Sequence, residues 1–171
     1  INLHTSIYAS FVVIIFLLKN QFVDLCVAIL IPILFFSYFN YKNRCFIGNN
    51  GTYLLSFIFS CLFISSYNKS YLFLPEEIFL IMFLPGVELI RLTFSRLLKK
   101  KHPFKADKNH VHHLLLHKYS FKKIIFISSF FVLMPYLIAQ IFNNNYLIIT
   151  SIFISAYFYL IYFLKKNIKN V

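Results

Sequence analysis

Long apolar runs separated by short polar interruptions dominate this chain. Six runs stand out: about Asn2 to Leu18, Phe22 to Phe39, Thr52 to Ser66, Tyr71 to Leu92, Ile124 to Phe142 and Tyr146 to Leu164. Each approaches the roughly 20 residues that cross a hydrocarbon core of about 30 Å. None shows the strict alternation of a membrane β-barrel strand, and lipid cannot satisfy free backbone groups, so the runs predict helices. Lys19 to Gln21 and Asn143 to Asn145 predict tight helical hairpins. Pro75 followed by Glu76 and Glu77 predicts a helix start, because proline suits a first turn and carboxylates there favour the dipole. Asp24 has the same helix-end character. Pro32, Pro85 and Pro135 are candidate kinks.

The pattern predicts an all-α fold: a polytopic transmembrane helix bundle of about six spans, read as a single integral membrane domain over residues 1–171. No repeat or low-complexity linker divides it. Two longer polar stretches, residues 40–51 and 93–123, are expected as loops on one side of the membrane. The second is rich in histidine.

Composition supports this reading. Hydrophobic residues make up 60% and charged residues only 13%, too few to coat a soluble domain of this size. The net charge of +12 would otherwise suggest nucleic acid. Here it is explained by position, because all seventeen basic residues except Lys19 and Lys69 fall at or beyond the same ends of the predicted spans. The positive-inside rule then puts both long loops and both termini of the chain in the cytoplasm. The expected setting is a bacterial inner membrane, crossed several times, with membrane lipids and no nucleic acid as partners. Cys26, Cys45 and Cys61 have no metal or disulfide spacing. No basic segment with a cleavage site opens the chain, so no signal peptide is expected. The abrupt start at Ile1 suggests a piece of something longer.

Candidate chemistry concentrates in the second loop. Arg91, Arg96, Lys99 to Lys101, Lys105, Lys108, His110, His112 and His113 would form a cationic wall suited to phosphate oxygens. Attraction to anionic lipid heads is the plainer alternative for the lysine run. A helix over Asn109 to Leu116 would put His110, His113 and His117 on one face. Asp107 is placed to cap that helix or to orient an imidazole. A zinc site built from Asp107 and histidines competes, without a specific zinc spacing. No charged residue is expected deep within a span, which disfavours a transporter.

The segment PFKADKNHVHHLL, residues 103–115, resembles the signature P-F-x-x-D-[RK]-x-H-x-H-H-L-L of polyprenyl-phosphate N-acetylhexosamine-1-phosphate transferases. These form glycosyltransferase family 4, and the H-x-H-H form is similar to the WecA-like branch of the MraY/WecA superfamily. The preceding LPGVELIRLTFSRLLKKKHPF resembles the family's lead-in, and CFIGNNGTYLLSF resembles its F-x-G-D-x-G-S-x-x-L stretch. The likeness covers the C-terminal half of a family member, so the chain is expected to be that part of a larger transferase and inactive alone.

The resemblance implies transfer of a sugar 1-phosphate, expected to be N-acetylhexosamine 1-phosphate, from a UDP-sugar to a membrane polyprenyl phosphate. The products would be a polyprenyl-diphosphate sugar and UMP, for cell-envelope polysaccharide synthesis. It implies His110, His112, His113 and Asp107 as catalytic residues, and Arg91, Arg96, Lys108, Gly48 and Gly51 as substrate-binding residues. It also implies Mg2+ or Mn2+, with most ligands in the N-terminal half, and leaves a homodimer open. Two positions depart from the pattern. Asn49 stands where the motif has a metal-binding Asp, losing the charge that a hard cation favours. Glu88 stands where the lead-in has Asp. The alternative to the enzyme is a truncated or degenerate non-catalytic membrane relative, consistent with Asn49.

Overall fold

A computed structural model describes residues 3–42, 44–100, 102, 109–142 and 145–169. Every regular element among them is helical. The helices are α1 (Leu3–Leu18), α2 (Val23–Tyr41), α3 (Gly48–Ser70), α4 (Pro75–Ile81), α5 (Phe83–Leu98), α6 (Val111–Leu116), α7 (Phe121–Ile141) and α8 (Tyr146–Lys169). The chain divides into two compact units, Ile1–Ile78 and Phe79–Val171.

In the first unit α1 packs along α2 and also meets α3. The connection between α1 and α2 turns within four residues because Asn20 and Phe22 take left-handed backbone angles, a conformation in which Asn is at home. Phe16, Phe63 and Phe73 form a buried aromatic triad with ring centres 5.2–5.6 Å apart. Glu77 is buried. Its carboxylate accepts the Leu74 N–H at 2.9 Å and lies 3.6 Å from the Lys19 ammonium. Leu74 precedes α4 and Glu77 is its third residue, so the expected helix start at Pro75 is present, with half of a capping box.

The second unit holds α5 to α8. Its core is aromatic: Phe83, Phe131, Phe153 and Tyr157 are buried and meet edge to face. The short α6 packs on α7 and α8, and α5 packs on α7.

Among the described residues, three helices are long and apolar enough to cross a membrane: α2 and α7 in full, and α8 over Tyr146–Lys166. The pair α4 and α5 makes a fourth if counted as one broken span. The expected span from Tyr71 to Leu92 is interrupted, because the chain bends by 78° at Met82, three residues before the candidate kink at Pro85. Pro85 is the cause. It has no N–H for the Ile81 carbonyl, and its ring would clash there in an unbroken helix. In the first turn of α5 the missing N–H costs nothing, and Gly86 makes that helix's first bond, to the Met82 carbonyl at 2.9 Å. Pro32 and Pro135 lie inside α2 and α7, which continue through them.

Both expected loops are shorter than the polarity pattern suggested. Asn40 and Tyr41 close α2, and Gly48 to Gly51 open α3. At the other stretch α5 runs on to Leu98 and α7 begins at Phe121, with α6 between them.

Candidate functional site

The polar centre of the second unit is Glu88. It sits one turn before Arg91 on α5, where residues three apart share a face. Arg91 grips its carboxylate with two nitrogens: Nε donates to Oε2 at 3.2 Å and Nη2 to Oε1 at 2.9 Å. A forked, charge-assisted pair of this kind is among the stronger polar contacts. Both side chains are largely buried, at 6% exposure for Arg91 and 12% for Glu88. In such surroundings either charge left without the other would be costly.

The pair organises the histidine segment. Glu88 Oε1 accepts the backbone N–H of Val111, the first residue of α6, at 2.8 Å. Arg91 Nη2 donates to the Asn109 carbonyl at 2.7 Å. Glu88 Oε1 also lies 3.5 Å from Nδ1 of His110. A carboxylate from α5 thus stands at the N-terminus of α6, where free N–H groups and the helix dipole favour an anion. Tyr157 of α8 completes the set. Its hydroxyl donates to Glu88 Oε2 and accepts from Arg91 Nε at 2.8 Å. Arg91 Nη1 is buried and has no hydrogen-bond partner among the described residues.

The three histidines of the motif come together. The rings of His112 and His113 are 4.3 Å apart, His110 and His112 are 5.5 Å apart, and His110 and His113 are 6.4 Å apart. They do so without the helical face expected over Asn109 to Leu116. His110 precedes α6 in an extended conformation and His117 ends it. Val111, Leu114 and Leu115 are buried, so the apolar side of α6 anchors it while the histidine rings gather at its start. All three histidines are partly exposed, and His117 is exposed.

The other expected site residues are placed as follows. Arg91 is not at a helix end: α5 continues two turns past it, and its charge is spent on Glu88 and Asn109. Arg96 lies in the last turn of α5, where a cation suits the dipole. Asp107 and Lys108 lie outside the described residues. Gly48, Asn49 and Gly51 lie in the first turn of α3, in the first unit. Gly48 has φ +64°, which only glycine adopts freely. A Cβ on Gly51 would come within 2.7 Å of the Ile47 side chain. Asn49 is exposed, and its backbone carbonyl accepts the Thr52 hydroxyl at 2.8 Å.

Two members of this cluster were not singled out by residue type or spacing. Glu88 was visible only as a variant position in the lead-in. Tyr157 gave no signal, being one of 12 tyrosines in an apolar chain.

Chemically, the three neighbouring imidazoles are the groups suited to anions. His110 alone lies beside the Glu88 carboxylate, which is already engaged by four donors. The cluster's described residues do not suit a hard divalent cation by themselves, since the only carboxylate among them is taken up internally. Among the described residues no group of three or more His, Cys, Asp or Glu side chains is arranged to hold a metal.

No family model matches the chain. No solved structure matches it. Curated proteins do. Over 79 residues it is 34% identical to the undecaprenyl-phosphate alpha-N-acetylglucosaminyl 1-phosphate transferase of Pasteurella multocida, covering 46% of this chain and 22% of that protein. Over 127 residues it is 27% identical to the Haemophilus influenzae protein of the same name, covering 71% of this chain and 36% of that protein. The matched region is thus only about a fifth to a third of the relatives' length. The chain is a homologue, over part of its length, of undecaprenyl-phosphate alpha-N-acetylglucosaminyl 1-phosphate transferases.

Proposed function

We propose that this chain forms the nucleotide-diphosphate-holding part of a membrane sugar-1-phosphate transferase. The donor is a UDP-sugar, expected to carry N-acetylhexosamine, the acceptor is undecaprenyl phosphate, and UMP leaves. The observation that carries this reading is the histidine cluster pinned at the start of α6 by Glu88 and Arg91, in a chain whose curated relatives carry that activity in their names.

Bringing two phosphates together crowds negative oxygens, and fixed donors that need no reorganisation lower that cost. Imidazole N–H groups of His110, His112 and His113 can meet diphosphate oxygens, Arg96 and Lys108 are expected to add cations, and Asp107 is expected to orient an imidazole. Arg91 serves the site by holding Asn109 and Glu88 in place. Magnesium or manganese belongs to the proposal only with ligands from beyond the described residues, and Asn49 would offer it no charge.

The reading includes six spans with the histidine loop and both termini of this chain in the cytoplasm. The weaker candidates, α1 and α3, are compatible with lipid. The hydroxyls of Thr52, Ser56 and Ser60 in α3 each bond to a carbonyl one turn back at 2.8–3.1 Å, which lowers the cost of burying them.

UMP release is to be measured on the complete gene product with UDP-N-acetylhexosamine and undecaprenyl phosphate. His112→Ala and His113→Ala should each lower turnover at least a hundredfold. Full activity in both variants would overturn the histidine assignment. A second reading, a non-catalytic relative, is favoured by Asn49 at the motif's aspartate position. It predicts no UMP release from the complete protein.

A further inference from the structure

We infer that Tyr157, on the final helix, is a positioning residue that sets the geometry of the histidine cluster through Glu88. The inference deepens the proposed function and rests on it for the kinetic part of its test.

Tyr157 is completely buried. Its ring packs edge to face on Phe131, with centres 6.1 Å apart. A phenylalanine would make that contact equally well. The hydroxyl is what distinguishes tyrosine, and a buried hydroxyl is costly unless it is bonded. Here it meets both members of the ion pair, accepting from Arg91 Nε at 2.8 Å and donating to Glu88 Oε2. Without it Oε2 would keep one contact, the longer 3.2 Å bond from Arg91 Nε. The carboxylate could then rotate. Its other oxygen is the one that holds the start of α6 through Val111 N–H and lies beside His110. Arg91 Nη2, which holds the Asn109 carbonyl, would loosen with it. The path from Tyr157 to the imidazoles therefore runs through two bonds, with no contact between tyrosine and ligand required.

The first measurement is the set of imidazole resonances in the complete protein labelled with 15N-histidine, comparing the parent with Tyr157→Phe. The signals of His110, His112 and His113 should shift or broaden, while His102 and His117, which are exposed, keep theirs. Unchanged signals at all three overturn the inference. Collapse of every histidine signal also overturns it, because the hydroxyl would then support the fold as a whole. This arm stands whether or not the protein turns over UDP-sugar, so the two readings fail separately.

The second measurement is kinetic. Tyr157→Phe should raise KM for UDP-sugar about tenfold, in keeping with the loss of one hydrogen bond to a charged group, with KM for undecaprenyl phosphate unchanged. Phe131→Leu, which removes ring packing but leaves the hydroxyl, should lower thermal stability and leave KM alone. Equal effects of the two variants on KM would overturn the inference.

Discussion

Glu88 and Arg91 depend on each other more than on anything around them. Glu88→Gln leaves a buried guanidinium without its counter-charge, and removing one partner of a buried pair costs about 3–5 kcal/mol. Thermal unfolding in detergent should show that loss. The double variant Glu88→Gln with Arg91→Met should recover most of it, because a neutral pair leaves no stranded charge. Gly48 is the other sensitive position. Its φ of +64° makes Gly48→Ala cost about 1–2 kcal/mol. The effect should stay local, seen as faster hydrogen exchange at the second-turn N–H groups of α3, which bond back to the first turn. The residue scale is also where the sequence was least complete. The histidines were legible because five lie together in a polar stretch of an apolar chain. Tyr157 was not, because its role depends on a fold that brings residue 157 to residues 88 and 91, and no spacing along the chain encodes that.

At the level of elements, hydrophobic runs located most of the helices, and polarity misplaced their ends. Gly48 to Gly51 read as loop because they are small and polar, yet they open α3. Thr93 to Leu98 read as loop because α5 carries charge there, yet an amphipathic helix accommodates charge on one side. Of the three candidate kinks, Pro85 marks the break at Met82, since a helix tends to end before an internal proline, whereas α2 and α7 run on through Pro32 and Pro135. The direct test is Pro85→Ala. With the N–H restored, α4 and α5 should tend to straighten, and labels at Phe79 and Ser95 should move apart by about 3 Å, taking 1.5 Å of rise per residue. An unchanged distance would place the cause of the bend in the packing of Phe83 and its neighbours.

For the molecule as a whole, charge placement makes the sharpest statement. The proposed six-span arrangement predicts that a cysteine at His102 reacts with a membrane-impermeant reagent only from the cytoplasmic face, and one at Asn145 only from the opposite face. Both positions are exposed. Reaction of both from the same side would remove α7 as a crossing helix and the orientation with it.

The tie between Tyr157 and Glu88 also has a consequence for biosynthesis. Chains emerge from the ribosome N-terminus first, so α5, with Glu88 and Arg91, is made well before α8. Until α8 is inserted, Glu88 lacks its contact with Tyr157, and α6 lacks one of the two helices it packs on. The histidine segment is therefore complete in covalent structure long before it is complete in geometry. A product cut short before Tyr157 would carry every histidine of the motif and still lack the contact that fixes them.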